Sequence, residues 1–281
     1  MGETSSALQS PPARRDPGGV ASYLRLLAVQ LRVSATVSAT YRLQFVMDGA
    51  LAILGMFGRV IPLFVALHGR PAIGGWTFDS ALVVVGFFTM IKGVLDGAVN
   101  PSLVAVVDHI RNGTLDFLLI KPKDAQFLVC TSKFELWRGV DLVTGAAVIV
   151  WAFARLGTAP TAANVGLSVV LFVAGVVLLY SVWLLVVTAA FWVVRLDNLA
   201  FMFNALFDFG RWPRSVMKGA LAILFTFVVP LAVMTSFPAE ALRGILAPRD
   251  ALLAIGLAAA FAIVARLVFR RALGQYTSAS S

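Results

Sequence analysis

Long apolar runs separated by short polar stretches dominate this chain of 281 residues. A transmembrane helix needs about 20 consecutive apolar residues, and six runs meet or approach that length. They cover residues 45–67, 78–99, 140–154, 165–194, 216–235 and 251–269. The pattern predicts an all-α membrane protein with six transmembrane helices. The fourth run is long enough, at about 1.5 Å per residue, to require tilt or projection beyond the bilayer.

The N-terminal region is different in character. Residues 1–20 are polar, contain Pro, Gly and Ser throughout, and lack the apolar run of a signal peptide, which predicts a disordered cytoplasmic tail. From Ser22 to Arg42, apolar side chains share one side of a helix with polar and basic residues elsewhere. The apolar content is too interrupted to span, so this segment predicts a helix lying in the membrane interface.

Composition and motifs exclude several classes of protein. Hydrophobic residues make up 59% and charged residues only 13%, against about 25% charged in a soluble domain. The net charge of +9 is spread over separate loops, which argues against nucleic-acid binding. Cys130 is the only cysteine, and His68 and His109 are far apart in sequence, so neither a disulfide framework nor a metal site is expected. No P-loop, GxSxG or HExxH motif occurs, so no catalysis and no bound ATP are expected of this chain.

The basic residues predict the orientation, because cytoplasmic loops carry an excess of Lys and Arg. With both termini in the cytoplasm, 17 of the 23 basic residues lie in cytoplasmic segments. Two more, Arg59 and Lys92, lie within spans. The outer loops hold the remaining four, Arg70, Arg155, Arg243 and Arg249.

The polar stretch between the second and third spans, residues 100–138, is too long for a simple connector of about 2–8 residues. Asn100 can cap a helix that starts at Pro101, and Gly113 can end it. We therefore predict a short helix lying across the membrane surface and fixed at both ends by longer helices. Its displacement would displace the second and third spans together. Loop length alone leaves a plain interfacial loop equally open.

Ionisable residues inside spans are rare and mark candidate functional positions. Lys92 and Asp96 are four residues apart and can pair, although Lys92 near the cytoplasmic end can also extend to the interface. Gly93 and Gly97 beside them would let another helix approach closely. Arg59 lies deeper and either reaches the outer headgroups or lines a cavity. Asp48 and Asp141 are expected at the interface.

Aromatic residues in the spans are candidates for lining a pathway for an apolar substrate, although such residues more often serve packing. The candidates are Phe87, Phe88, Trp192, Phe201, Phe203 and Phe207.

The string Arg111-x-Gly113-Thr114-Leu115-Asp116-x-x-Leu119-x-x-Pro122 resembles the signature of the type-2 ABC exporter permeases. Ser132-Lys133 matches a small residue and a lysine that the family commonly has in the following helix. Further matches are Phe191-Trp192, Asn198, Pro230, Pro238, Leu242-Arg243-Gly244 and Gly274-Gln275-Tyr276-Thr277-Ser278. One departure is Trp212-Pro213, where the bacterial branch often has Tyr-Pro.

The resemblance implies that residues 21–278 form one six-span domain of a bacterial exporter, with residues 100–138 carrying a coupling helix. It also implies re-entrant helices at the outer face, where Pro230 and Pro238 would break the chain. A proline kink within a transmembrane helix is the alternative. Contact with an ATPase would fall to Asp108, Ile110, Arg111, Gly113, Thr114, Leu115, Asp116 and Phe117.

The implied function is the movement of an amphipathic or hydrophobic substrate, such as a drug, a viologen-like cation, a peptide or a lipid, across the cytoplasmic membrane. The implied partners are two copies of an ATP-binding-cassette ATPase, which would hold ATP and Mg²⁺, a second permease that is identical or related, and membrane lipid. Two other classes compete. One is an ion-coupled secondary transporter with Asp96 as its ion site, and the other is a membrane anchor for a soluble complex.

Overall fold

The computed structural model describes residues 19–40, 42–121, 123–189, 204–217, 219–220, 224–228 and 230–275. The predicted N-terminal tail and three candidate pathway residues, Trp192, Phe201 and Phe203, lie outside these ranges. Within them the chain is almost entirely helical, and the only β-pairing described is one antiparallel bridge between Ile73 and Trp76.

The α-helices of the described residues follow one another with short connections. They are α1 (Val20–Thr40), α2 (Arg42–Leu67), α3 (Phe78–Val94), α4 (Asn100–Arg111), α5 (Asp116–Leu119), α6 (Ala125–Cys130), α7 (Gly139–Leu156), α8 (Ala162–Thr188), α9 (Leu231–Leu242) and α10 (Pro248–Gly274). Short 3₁₀ and π turns lie at Leu95–Val99, Leu136–Arg138, Asp208–Arg211, Arg214–Val216 and Leu224–Val228.

Five helical stretches are long and apolar enough to cross a membrane. They are Leu43–Leu67, Phe78–His109, Leu136–Leu156, Ala162–Thr188 and Pro248–Gly274. At about 1.5 Å per residue, each can cover a hydrocarbon core of about 30 Å. The prediction of an all-α membrane protein is confirmed, whereas the count of six spans stays a prediction.

The helix bundle has two ends, and each is defined by a loop that connects its helices. Residues 68–77, between α2 and α3, mark the far end. Residues 112–135, between α4 and α7, mark the coupling end. Five helices run between these two ends: α2, α3, α7, α8 and α10.

The residues that lead into the predicted fifth span (residues 216–235) lie at a different end of the bundle from the predicted one. The hydroxyl of Ser215 donates a 2.7 Å hydrogen bond to the carbonyl oxygen of Gly74 in the far-end loop. Arg214 pairs with Asp250 at 2.9 Å, at the start of α10. Residues 214–216 therefore lie at the same end as residues 68–77, whereas the predicted order of spans placed these two stretches at opposite ends.

Helix α9 follows this segment and is too short to span. Each of its 12 residues is buried, and 12 residues extend about 18 Å. It packs against α8, since Ser168 donates to the carbonyl oxygen of Pro238 at 2.9 Å and a Cβ on Gly175 would lie 3.1 Å from the backbone of Met234. Pro238 lies inside the helix, so the predicted break at this residue is absent, and the helix starts after Pro230. A re-entrant arrangement of this segment stays a prediction.

Helix α3 lies at the centre of the bundle and packs tightly against α7. A Cβ on Gly86 would be 2.8 Å from the carbonyl oxygen of Gly145, and a Cβ on Gly145 would be 2.6 Å from the carbonyl oxygen of Gly86. Real Cβ atoms do not approach that closely, so the two backbones touch only because both residues are glycine. Small residues at such crossings are a common way for membrane helices to associate.

Candidate functional site

The second predicted span and the first part of the following loop form one continuous helix. It runs from α3 through the π turn Leu95–Val99 into α4, and Asn100 has helical φ −62° and ψ −48°. The prediction that Asn100 caps a separate helix is therefore wrong, because the π turn carries the helix past Pro101. The 32 residues of Phe78–His109 extend about 48 Å, about 18 Å more than a bilayer core.

Pro101 leaves one carbonyl group of this helix without its usual partner. In an α-helix the amide of residue 101 would donate to the carbonyl of Gly97, but proline has no N–H. The carbonyl oxygen of Gly97 instead accepts a 2.8 Å hydrogen bond from the amide of Glu135. The returning part of the loop is thus attached to the long helix at the acceptor that the proline frees.

A second attachment lies one turn further along. The buried hydroxyl of Ser102 donates to the carbonyl oxygen of Lys133 at 2.7 Å and accepts from its amide at 3.1 Å. The prediction that another helix approaches Gly93 and Gly97 is also supported by geometry. A Cβ on Gly97 would be 2.9 Å from the Cβ of Arg138, so no larger residue fits there without movement.

The tip of the loop turns sharply between α4 and α5. Gly113 has φ +66°, a conformation that L side chains rarely adopt, and it ends α4 as predicted. The next residue, Thr114, closes the turn, because its hydroxyl lies 2.8 Å from Nδ1 of His109 and its amide donates to the carbonyl of His109. The turn delivers Asp116 to the start of α5.

Apolar residues of the tip face opposite ways. Leu115 is 1% exposed and packs into the main core, whereas Phe117 is 68% and Ile120 is 78% exposed. All eight predicted coupling residues lie in this turn and the ends of its two helices, but the side chains of Ile110 and Arg111 lie outside the described part. The exposed acid Asp108 borders a polar cavity of about 280 Å³ at the root of the loop.

Helix α1 lies along the returning part of the loop, a contact that sequence reasoning missed. The rings of Tyr23 and Phe127 meet edge to face with centroids 4.9 Å apart. Further along, the amide of Phe134 donates to the hydroxyl of Ser34 at 3.3 Å. The aromatic residues Tyr23 and Phe127 were the signal in the sequence that could have indicated this contact.

The loop is also tied to α8 and α10. Arg266 of α10 donates to Asp124 at 2.8 Å, and this hydrogen bond holds the pKa of Asp124 below its usual value. Gln126 donates to the hydroxyl of Tyr180 at 2.7 Å, and that hydroxyl donates to Sγ of Cys130 at 3.0 Å. Burial raises the pKa of the Cys130 thiol to about 12.

A network of ion pairs lies beneath the loop, within the bundle. Asp141 of α7 is fully buried and accepts from Arg59 of α2 at 2.9 Å. Its other oxygen lies 3.3 Å from Arg138, which is 3.4 Å from Asp96. The sequence led us to expect Asp141 at the membrane interface and Arg59 either at the outer headgroups or in a cavity. The direct pairing of these two residues within the bundle was not expected.

The network continues from Asp96 to the segment that follows α8. The predicted pairing of Lys92 with Asp96 is present at 3.9 Å. Lys92 also donates to the side-chain oxygen of Asn204 at 3.1 Å and lies 4.0 Å from Asp208. Alternating charges thus connect α2, α7, α3 and residues 204–208.

A family model of the ABC-2 family transporter proteins matches residues 53–280, most of the chain. The chain belongs to the ABC-2 transporter family. It is therefore a multi-pass membrane protein and the permease component of an ABC transporter, not itself catalytic, and the family implies an ATP-binding-cassette partner in general. Searches of the curated proteins and of the solved structures find no match.

Three of the candidate pathway aromatics of the ABC-2 permease, Phe87, Phe88 and Phe207, lie in the described part of the chain, and all three are buried. The rings of Phe88 and Phe207 have centroids 5.7 Å apart, and Phe87 packs 6.1 Å from Phe172. The ammonium of Lys92 lies 5.7 Å above the Phe207 ring. Phe88 and Phe207 therefore occupy the contact between α3 and the segment after α8, directly beside the ion-pair network.

Proposed function

We propose that this permease exports an amphipathic or hydrophobic substrate, such as a drug, a peptide or a lipid, across a bacterial cytoplasmic membrane. A separate ATPase subunit binds the tip of the loop between α4 and α5. Two ATPase copies and a second permease, identical or related, complete the transporter. The family membership supports the general class, and the following contacts support the finer assignment.

The exposed apolar tip is the observation that carries the proposal. Phe117 and Ile120 are exposed at 68% and 78%, on a loop held by Leu115 in the core. Exposed apolar side chains at one point outside the spans favour a protein contact, and aromatic residues are common anchors of such contacts. The helix that leads to this turn is about 18 Å longer than a bilayer core is thick, which supports a position of the tip outside the hydrocarbon.

Force applied to the tip reaches several spans through the contacts already described. The attachments of Glu135 to Gly97 and of Lys133 to Ser102 join the two legs of the loop. The network around Asp141 joins those legs to α2 and to residues 204–208. Closure of the ATPases would therefore move the second and third spans together and shift Phe88 against Phe207, which are candidate substrate contacts.

The coupling end faces the cytoplasm in this proposal, with both termini inside. The far end contains the four arginines of the predicted outer loops, Arg70, Arg155, Arg243 and Arg249. In the structure it also contains Arg214. Arg214 is neutralised there by Glu240 and Asp250, so it adds little to the charge of that end. The excess of basic residues at the coupling end still supports this orientation.

The test is the double variant Phe117→Asp with Ile120→Asp. We expect the permease to insert and fold normally but to lose co-purification of its ATPase, because two exposed apolar contacts become charged. Ile245→Asp is the matched control, since Ile245 is 56% exposed and lies in the far-end turn between α9 and α10. Undiminished ATPase binding in the double variant would refute the docking role.

An ion-coupled mechanism is the competing proposal, with Asp96 as its site. The family membership weighs against it, and Asp96 already has Arg138 and Lys92 as partners. Transport that persists without an ATPase and stops when the ion gradient is collapsed would favour this alternative.

A further inference from the structure

An apolar groove of about 460 Å³ opens at the far end, between α2, the far-end loop and residues 209–217. Its volume is in the range of small-molecule and lipid sites, about 300–1,000 Å³. Two tryptophans form part of its wall, and aliphatic side chains form most of the rest. The lining includes Leu63, Leu67, Trp76, Trp212, Val216 and Met217.

Two arginines lie at or beside this groove, and the acid nearest in effect to Arg243, Glu240, is itself paired with Arg214 at 2.8 Å. Arg70 lines the groove and is exposed, and the guanidinium of Arg243 lies 4.6 Å from the ring centroid of Trp76. Three further arginines of the far end are paired. Arg155 lies 2.8 Å from Asp79, Arg214 lies 2.9 Å from Asp250, and Arg249 lies 3.7 Å from Asp250.

We infer that the groove binds an anionic membrane lipid, with an acyl chain between Trp76 and Trp212 and the headgroup on Arg70 and Arg243. The groove is apolar and lies at one end of a membrane-spanning bundle, where lipid chains are the abundant apolar ligand. Guanidinium groups bind phosphate through paired, charge-assisted hydrogen bonds. This site lies at the opposite end from the coupling segment and does not depend on how the ATPase docks.

Charge selects this occupant over the others. A cationic amphiphile would be repelled by Arg70 in the lining and by Arg243 beside Trp76. A second copy of the chain would bring its own arginines to the same place. A neutral lipid would fill the apolar part but would supply no anion to Arg70. Only an anionic amphiphile satisfies both parts of the site.

The experiment uses tryptophan fluorescence, because brominated acyl chains quench tryptophans that they touch. The permease is reconstituted in vesicles containing a small fraction of either brominated phosphatidylglycerol or brominated phosphatidylcholine. The chain has 6 tryptophans, so a Trp76→Phe, Trp212→Phe variant identifies the groove signal by difference. We expect this signal to be quenched preferentially by the anionic lipid, with apparent affinity about fivefold higher for each arginine.

The Arg70→Gln, Arg243→Gln double variant should lose the preference and keep the quenching by phosphatidylcholine, which also shows that the groove is still formed. Arg249→Gln is the control, because Arg249 is an exposed far-end arginine that is already paired with Asp250, whereas Arg243 contacts the groove residue Trp76. Equal quenching by both lipids in the unmodified protein would overturn the inference, as would a preference that survives in the double variant. Absence of groove quenching by either lipid would show that another protein surface covers the groove and would overturn it too.

Discussion

The amide of Glu135 donates a 2.8 Å hydrogen bond to the carbonyl oxygen of Gly97. Gly97 is four residues before Pro101, and proline cannot use that carbonyl. Proline usually ends a helix. Here the helix continues past Pro101 after a π turn, and the free carbonyl oxygen of Gly97 accepts the hydrogen bond that holds the returning loop. Local π turns are often found at functional positions of helices.

The first prediction concerns this attachment. In Gly97→Ala, the new Cβ would lie 2.9 Å from the Cβ of Arg138 and 3.4 Å from the carbonyl oxygen of Glu135, so the loop must move away. Overpacking of this kind costs about 1–3 kcal/mol. We expect ATPase binding to persist while ATP-driven transport falls, measured on the same reconstituted complex.

Gly58→Ala is the matched control, because nothing lies within 4 Å of a Cβ at that helical position. It should leave both binding and transport unchanged. Normal transport by Gly97→Ala would show that the loop is not mechanically attached at this point.

The second prediction concerns the buried carboxylate of Asp141. In Asp141→Asn, Arg59 and Arg138 lose the charge that both contact, and breaking a buried ion pair costs about 3–5 kcal/mol. Asp79→Asn removes a comparable pair with Arg155, whose side chain is 55% exposed, and should cost less than about 1 kcal/mol. Unfolding of both variants in the same detergent measures the difference, and equal losses would contradict the assignment of Asp141 as a buried junction.

The third prediction concerns pH. Hydrogen bonding from Arg266 lowers the pKa of Asp124 in the folded protein, so the folded state favours the carboxylate. The resulting stabilisation is complete above the unfolded pKa of about 3.9 and is lost as the pH falls through the lower folded value. The unmodified protein should therefore exceed Asp124→Asn in melting temperature at pH 5–8 by a constant margin. The two melting temperatures should converge below about pH 4, and a margin that changed between pH 5 and pH 8 would point to another group.

The fourth prediction uses Cys130. Burial raises the pKa of its thiol to about 12, and the hydroxyl of Tyr180 covers it at 3.0 Å. The thiolate is the reactive form, so maleimide labelling at pH 7–8 should be slow in the resting transporter. If α6 separates from α8 during the ATP cycle, labelling should accelerate when the ATPase binds a non-hydrolysable nucleotide. An unchanged rate would mean that this contact persists through the cycle.

Much of the fold followed from local sequence patterns. The apolar runs predicted the five described spans, and spacing predicted the Lys92–Asp96 pair and the close approach at Gly93 and Gly97. These features depend on residues within one or two helical turns. The continuation of the helix past Asn100 did not follow, because the carbonyl that Pro101 leaves free is satisfied by Glu135, which is distant in sequence.

Longer-range pairings explain the remaining differences. Arg59 and Asp141 are 82 residues apart, and no pattern within either helix indicates that they meet. The predicted order of spans placed Arg214 in a cytoplasmic segment, but in the structure it pairs with Glu240 and Asp250 at the far end. The sequence shows which loop residues are charged, but it does not show which of these charges are neutralised by ion pairs in the folded protein.

The continuous 32-residue helix has a mechanical consequence. A helix that is longer than the hydrocarbon core is thick projects from it, like a lever arm, and the length of this arm is the part of the helix that lipid does not cover. Each ångström of membrane thickening would shorten that arm and bring the ATPase closer to the headgroups. The efficiency of this transporter should therefore depend on the acyl-chain length of the lipids around it, even for substrates that never touch those lipids.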